Sequence, residues 1–473
     1  MTLDRRLFNL RSFFCVLGPC LIDTKQLSSP YLPIFPHMVF KGVYKMRSFL
    51  CSSILLFTVQ VSLGQNPEAS TDWKQFRGNN RDASSMDKNL LKDWPKTGPK
   101  LLWKTEKLGG GFSSISAVAD KIFTMGDIES EKSSFVLGLD RASGKILWQS
   151  MVGKTGGNYS GTRCTPCFSD GKVYALGQFG DLVCLNATDG KEVWRKNFNK
   201  DFGGKSGGWN YTESPLIDGD NLICTPGGKD NTVVALNKAT GATVWACPLD
   251  QTAGYSSIVI STIGNDKFYV QLLSNELVGI EAKTGKVAWK YGNDPAKFKS
   301  NTANIPTPIP FNDKVYAAAG YGRGAGLVQL TKSAKGIEAS EVYFSKDLTN
   351  KHGGVIKIGD FIFSDRDDSG NPQCAEVATG KVLWKRPKPE NREAGKGSAS
   401  MVFADGHLYI RYDNGVVALV EASPKGYVEK GSFKIPNSDK NSWNHPVVIG
   451  GKLYLKEKDT LWCYDVSAKG AVN

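Results

Sequence analysis

The residues of this 473-residue chain that are best suited to chemistry stand in short polar segments that lead into predicted strands. Ten candidates combine aromatic, basic, amide, carboxyl and imidazole groups: Arg163, Trp209, Tyr211, Glu213, Tyr255, Asn304, His352, Lys396, Trp443 and His445. If the strands converge on one axis, these side chains form a single ligand-binding site. Alternatively, they bond only to loop backbone and water, because rim loops carry polar residues whatever their function.

A CxxC motif, Cys164-Thr-Pro-Cys167, stands at another predicted strand start. On a strand its two sulfurs point to opposite faces. No His follows the motif, which excludes c-type haem attachment, and no second CxxC completes a zinc site. Seven cysteines follow residue 64, and an odd number argues against a full disulfide framework. We therefore interpret these thiols as packing groups.

Histidines are scarce in this chain. After residue 64 only His352, His407 and His445 remain, and His407 lies in a predicted turn. His352 and His445 are the only candidates for a pair of axial metal ligands. Two ligands are too few for a closed metal site. The sequence therefore assigns no metal ligand set and no catalytic residue.

The elements that position these residues form a repeat. A turn with Gly, followed by a strand with Trp, recurs at 140–148, 186–194, 237–245, 281–289 and 376–384. The Gly supplies the positive φ that a short hairpin needs. In two weaker copies, at 330–343 and 419–433, a longer turn replaces the short turn with Gly. Six of the eleven Trp hold this strand position, so most of them are interpreted as architectural.

A second repeat, of the type Asp-Lys-Val-Tyr, gives the number of units. Its eight copies run from Phe123 to Tyr454 at intervals of about 47 residues, the period of propeller blades. Each period holds four predicted strands, and the last one lacks its Trp strand. The segment Leu101–Lys104 supplies that strand from the other end of the chain. The sequence predicts an all-β, eight-bladed propeller whose N-terminal strand completes the C-terminal blade.

The first 64 residues have a different character. Arg47, an apolar run from Phe49 to Leu63 and small residues before Gln65 are typical of a secretory signal. We therefore predict an upstream extension at 1–45, a signal peptide at 46–64, a lead segment at 65–98 and the propeller at 99–470. The absence of Cys at position 65 predicts an exported, periplasmic or extracellular protein without a lipid anchor. The apolar run is too short for a comfortable transmembrane span.

The net charge of +13 does not require nucleic acid as a partner. Without residues 1–64, 52 basic and 44 acidic residues remain, which gives +8. These charges are dispersed and of mixed sign, as on an ordinary solvated surface. We expect a monomer that binds no nucleic acid.

The Ala-x-x-Thr-Gly-Lys-x-x-Trp repeats resemble the pyrroloquinoline-quinone-like (PQQ-like) propeller family. The resemblance covers about residues 99–470, and the family includes quinoprotein alcohol dehydrogenases, polyvinyl-alcohol-dehydrogenase-like proteins and BamB-like outer-membrane assembly scaffolds. The segment Trp73-Lys-Gln-Phe-Arg-Gly78 also resembles one that precedes such propellers in exported bacterial proteins. The repeat is specific for the fold and much less so for the activity.

The resemblance implies what a quinone enzyme of this fold requires: PQQ, Ca²⁺ held by oxygen ligands, a carboxylate base and often a vicinal disulfide. Glu213 and Asn304 are the implied calcium ligands, and Arg163 or Lys396 would meet the quinone oxygens. The sequence contains no Cys-Cys pair, and no Asp suited to be the base begins a strand. Asp365 to Asp368 follow the second strand of their blade and are interpreted as loop caps.

Three functions remain open at this point. The first is an exported binding scaffold for an envelope protein, a glycan or a small molecule at the propeller mouth. Trp209, Tyr211, Tyr255 and Trp443 would be its anchors, because rigid aromatic residues carry much of the energy at binding surfaces. The second is oxidation of an alcohol with PQQ and calcium. The third is a structural role in envelope assembly.

Overall fold

The computed structural model describes residues 71–159, 161–389, 394–438 and 441–471. The fold described below belongs to the unit Gln65–Asn473. Its described residues contain one short helix, α1 (Phe198–Phe202), and three 3-10 turns at Glu129–Glu131, Lys346–Leu348 and Ala468–Ala471. The predicted upstream extension and signal peptide lie outside the described residues. In the part that is described, no helix has the length and apolar character needed to cross a membrane.

Eight four-stranded antiparallel sheets account for almost all of the secondary structure. The first described strand is β1 (Lys100–Thr105). Blade 1 comprises β2 (Ser116–Val118), β3 (Lys121–Ile128), β4 (Ser133–Asp140) and β5 (Ile146–Lys154). Blade 2 comprises β6 (Cys167–Ser169), β7 (Lys172–Leu176), β8 (Asp181–Asn186) and β9 (Glu192–Asn197). Blade 3 comprises β10 (Leu216–Asp218), β11 (Asn221–Cys224), β12 (Val233–Asn237) and β13 (Thr243–Cys247).

The remaining blades continue the meander. Blade 4 comprises β14 (Val259–Ile263), β15 (Asp266–Leu272), β16 (Leu277–Glu281) and β17 (Val287–Tyr291). Blade 5 comprises β18 (Ile309–Phe311), β19 (Lys314–Ala319), β20 (Gly324–Ser333) and β21 (Gly336–Ser345). Blade 6 comprises β22 (Ile356–Ile358), β23 (Phe361–Asp365), β24 (Pro372–Glu376) and β25 (Val382–Lys385). Blade 7 comprises β26 (Ala399–Ala404), β27 (His407–Tyr412), β28 (Val416–Glu421) and β29 (Glu429–Lys434), and blade 8 contains β30 (Val447–Ile449), β31 (Lys452–Glu457) and β32 (Thr460–Asp465).

The fourth strand of blade 8 comes from the N-terminal side of the chain. β1 pairs antiparallel with β32, from Lys100 opposite Asp465 to Thr105 opposite Leu461. The predicted eight-bladed propeller and its closure by the N-terminal strand are both confirmed. The closure places the two ends of the repeat region in one sheet, where β1 and β32 hold blade 8 together by backbone hydrogen bonds.

The Trp of the fourth strand joins blades 1, 2, 3 and 6 to the blades that follow them. Trp148 Nε1 donates to the carbonyl of Ala187 at 3.1 Å, and Trp194, Trp245 and Trp384 make the equivalent bond one blade further on. The turn glycine of the next blade lies under the ring, and a Cβ at Gly190 would come within 2.5 Å of Trp148. Gly190 also has a φ of 71°. This glycine therefore serves both the turn and the blade interface.

The lead segment enters the middle of the ring. Trp73 forms a β-bridge with Ala117 of blade 1, and Ser84 forms one with Phe403 of blade 7. The Lys74 carbonyl accepts from the Phe168 N–H of blade 2. The innermost strand of a blade is a sheet edge with unpaired backbone groups, and the lead segment pairs with several of these edges. The lead segment therefore runs along the axis of the ring, between the innermost strands of the blades.

Candidate functional site

A cavity opens at the mouth of the ring, above the lead segment. The space in and above it that is free of protein atoms is about 970 Å³, which includes open solvent. Its walls come from segments that precede or connect the blade strands: Phe112, Tyr159, Arg163, Trp209, Thr212, Ser214, Tyr255, Ser257, Ile305, Pro306, Thr307, Tyr321, Lys351, His352, Gly354, Trp443 and His445. Phe76 and Arg77 of the lead segment complete the lining.

Six of the ten sequence candidates meet in this cavity: Arg163, Trp209, Tyr255, His352, Trp443 and His445. The imidazole of His352 stacks on the indole of Trp443, with ring centroids 4.4 Å apart. Across the cavity, Trp209 packs against Tyr255 at 5.1 Å. These residues come from five different loops, which the closed ring brings to one mouth.

The other four candidates lie elsewhere. The Tyr211 hydroxyl is buried and bonds to Asn199 Oδ1 and the Pro226 carbonyl. The Asn304 amide donates to the carbonyls of Leu273, Ser274 and Phe298, so it fastens a loop. Lys396 is exposed and outside the cavity, and its backbone N–H bonds to Asn414 Oδ1. For these three, backbone bonding or outward orientation is the physical reason that they do not line the cavity.

Glu213, the fourth of these residues, is buried beneath the mouth. Its carboxylate accepts from the Thr225 N–H at 2.7 Å and from the Thr225 hydroxyl at 3.1 Å. Desolvation raises its pKa to about 8, against the opposing effect of those hydrogen bonds and of Arg81. Glu213 is therefore a structural acid that is largely protonated near neutral pH.

The implied calcium site does not fit the residues that line the cavity. Ca²⁺ requires six to eight oxygen ligands, normally with carboxylates among them. The lining contains no Asp or Glu. The side-chain oxygens of Glu213 and Asn304, the implied ligands, already accept hydrogen bonds from Thr225 and Asn301. Among the described residues, no group of three or more His, Cys, Asp or Glu is arranged to hold a metal ion.

The two histidines of the cavity are neutral bases held in place by neighbours. His445 Nε2 lies 3.3 Å from the His352 carbonyl, and His352 Nδ1 lies 3.2 Å from Ser398 Oγ. Desolvation by the surrounding protein lowers the pKa of each imidazole to about 3. Neither ring is a cation at neutral pH, so the positive charge of the cavity comes from Arg and Lys.

Arg163 is fixed from behind by a chain of hydrogen bonds. Its Nη1 donates to Gln178 Oε1 at 2.6 Å, and Gln178 Nε2 donates to Asp127 Oδ2 at 3.1 Å. Its Nη2 donates to the carbonyls of Asn158 and Tyr159. Burial lowers the pKa of Arg163 to about 10, which leaves it charged at neutral pH. With a further bond from Nη1 to the Gly161 carbonyl, this network fixes the guanidinium in the cavity wall, where its hydrogen-bond acceptors among the described residues are all neutral.

Several lining residues were missed by the sequence analysis. Phe76 and Arg77 belong to the lead segment, whose position no repeat could reveal. Tyr321 follows the second strand of blade 5, and Tyr159 follows the fourth strand of blade 1. In an antiparallel meander, odd strands begin and even strands end at the same side, so these loops had to rim the mouth. That rule would have found both tyrosines.

The CxxC cysteines are buried at the start of blade 2. Both thiols are free, and desolvation raises the pKa of Cys164 to about 12 and that of Cys167 to about 11. A thiolate is needed for redox or metal chemistry. The arrangement therefore favours a packing role for this pair.

Known proteins show to which family this architecture belongs. A curated relative, the outer membrane protein assembly factor BamB of Shewanella oneidensis, is 24% identical over 284 residues, which cover 56% of this chain and 67% of that protein. The chain spans between about half and two thirds of the first three curated relatives that it matches. BamB from Moraxella catarrhalis shares the fold at 15% identity and a TM-score of 0.56, covering 78% of this chain and 99% of that one.

Enzymes share the same fold. Quinohemoprotein alcohol dehydrogenase from Comamonas testosteroni superposes with a TM-score of 0.59 at 12% identity, covering 84% of this chain and 81% of that one. The family model described as "Outer membrane protein assembly factor BamB" matches residues 132–386, more than half of the chain. The protein therefore belongs to this BamB-type family of PQQ-like propellers.

Proposed function

We propose that the protein is an exported binding scaffold of the cell envelope, which holds its ligand in the mouth cavity. The observation that carries this proposal is the composition of the lining. Seven aromatic rings and three cationic side chains face one cavity, without a carboxylate among them. Rigid aromatic side chains bind at low entropic cost, and the lead segment gives the cavity a floor.

The export part of the proposal rests on the predicted signal at 46–64 and on the relatives. Proteins named as outer membrane assembly factors are among the relatives, and they support a scaffold at the envelope. In the proposed role, the ring is a rigid support and the mouth loops select the partner. A surface of this kind needs no acid, base or redox group to act.

The alternative function is oxidation of an alcohol with PQQ and calcium. Its support is the fold that this protein shares with a quinohemoprotein alcohol dehydrogenase. The lining gives it little support, because no carboxylate is present to bind calcium or to act as a base. Incubation with PQQ and Ca²⁺, followed by desalting, tests it directly. Stoichiometric retention of PQQ with dye reduction by an alcohol would replace the scaffold proposal.

A site-specific photo-crosslinker tests the scaffold proposal. Benzoylphenylalanine is placed at Tyr321, on the mouth rim, or at Val244, on the outer strand of blade 3; the two side chains are 49% and 53% exposed. We expect a covalent adduct with an envelope component at position 321 and none at position 244. Equal labelling at both positions, or no labelling at 321, would contradict binding at the mouth.

A further inference from the structure

We infer that the ligand of the mouth cavity is an acidic sugar, a uronic-acid unit of a glycan; this inference rests on the proposed function. The first argument is charge. Arg77, Arg163 and Lys351 line the cavity, and their acidic neighbours do not. Asp368 pairs with Lys351 at 2.8 Å, and Asp127 stands behind Gln178. The cavity therefore presents a positive field to an entering ligand.

Arg77 is the strongest element of that field. It is 3% exposed, and Nη2 and Nε donate to the carbonyls of Val355 and Arg81. Its Nη1 is buried without a hydrogen-bond partner in the described part of the chain. It lies at the floor against Gly354, where a Cβ would come within 2.0 Å of Nη1. Because Nη1 is buried, an anion in the cavity would interact with the positive charge of this guanidinium rather than accept a hydrogen bond from Nη1.

The aromatic walls favour a sugar ring over a flat aromatic ligand. Trp443 forms one group with Phe112 and Tyr159, at interplanar angles of 32° and 55°. Trp209 forms the other group with Tyr255 and Tyr321, at 38° and 68°. These angles are between rings that touch one another within each group, so the aromatic wall presents several differently inclined faces. Tilted faces suit the C–H groups of a puckered sugar ring, because the aromatic face is electron-rich.

Hydroxyl groups complete the lining. Thr212, Ser214, Ser257 and Thr307 face the cavity, whereas Ile305 and Pro306 are its only aliphatic residues within the described ranges. Thr212 Oγ1 donates to the Tyr255 carbonyl, and Ser257 Oγ accepts from the Ser214 N–H, so each oxygen keeps spare hydrogen-bonding capacity. A polyhydroxylated ligand can use this capacity. Anionic charge, C–H faces and hydroxyls occur together in a uronic acid.

Calorimetry of the purified protein with trigalacturonic acid and with its fully methyl-esterified form tests the inference. The two probes share the sugar ring and differ in charge. We expect the acid to bind at least about ten-fold more tightly than the ester. We expect Arg77→Gln to remove that preference and Arg366→Gln, which changes an exposed arginine outside the cavity, to keep it. If Arg77→Gln fails to fold, Lys351→Met and the salt dependence of acid binding by the unchanged protein replace it.

The outcomes separate the two proposals. Equal affinity for acid and ester would overturn the recognition of charge. Failure of both probes, with an adduct still formed at position 321, would overturn the sugar class and leave the scaffold proposal intact. Failure of both probes without any adduct would overturn the scaffold proposal as well.

Discussion

Arg81 Nη1 donates a hydrogen bond of 3.0 Å to the backbone carbonyl of Ser214, which stands 133 positions further along the chain. The same guanidinium donates to the carbonyls of Pro215 and Ile258, so one lead-segment side chain joins blades 3 and 4. It is 4% exposed, and desolvation lowers its pKa. The lead segment is therefore a part of the ring's interior and of the cavity floor above it.

Replacing this arginine tests the importance of the lead segment. We expect Arg81→Met to lower the free energy of unfolding by about 3 kcal/mol, because buried carbonyls lose their donors at about 1 kcal/mol or more each. Urea unfolding followed by circular dichroism measures the change. The matched control is Arg366→Met, where an exposed ion pair of 3.9 Å to Asp347 should contribute less than about 1 kcal/mol. Equal losses of unfolding free energy in the two variants would show that the bonds of Arg81 do not stabilise the ring.

Trp103 tests the closure of the ring. It lies on β1, and a Cβ at Gly144 of blade 1 would come within 2.6 Å of its ring. We expect Trp103→Ala to destabilise the protein by about 2–3 kcal/mol, since a half-buried indole is lost at the junction of blades 8 and 1. Trp209→Ala removes the same side chain from the mouth and should change the melting temperature little. A loss as large for Trp209 as for Trp103 would refute a special role of the junction.

The buried Glu213 predicts a pH dependence of stability. Its pKa is about 8 in the folded protein and near the ordinary 4.5 in the unfolded chain. Between these values the folded state binds more protons, so this group's contribution to stability falls as the pH rises from 4.5 to 8. We expect Glu213→Gln, which does not titrate, to show a less negative slope of unfolding free energy over this range. Parallel curves for the two proteins would mean that folding leaves the pKa of Glu213 unshifted.

The cysteines give a test that needs no mutation. All seven cysteines after residue 64 are buried and free. We expect a thiol reagent such as Ellman's to label none of these seven in the native protein at pH 8 and all of them in guanidinium. The raised pKa of Cys164, about 12, adds to the effect of burial. Rapid native labelling of Cys164 or Cys167, located by peptide mapping, would reopen a redox role for the motif.

The sequence predicted only some of the residues that line the cavity, because the repeat places a loop at the mouth but does not orient its side chains. Arg163, Trp209 and Trp443 precede first strands, so the repeat alone placed them at one mouth. Glu213 stands in the same kind of segment but turns inward to Thr225, since strand alternation decides orientation and a loop has no such period. Phe76 and Arg77 belong to no repeat, and their place required the complete ring.

Local patterns were sufficient for the architecture, because turn glycines, strand alternation and the 47-residue period act within each blade. These local patterns determined the number of blades, their order and the completion of blade 8 by β1. Contacts between distant segments decided the rest: a glycine beneath the Trp of the preceding blade, as with Gly190 and Trp148, the lead segment along the axis and the cavity whose lining has no carboxylate. Those contacts depend on distances across the ring, and side chains more than a hundred residues apart leave no periodic trace in a single chain.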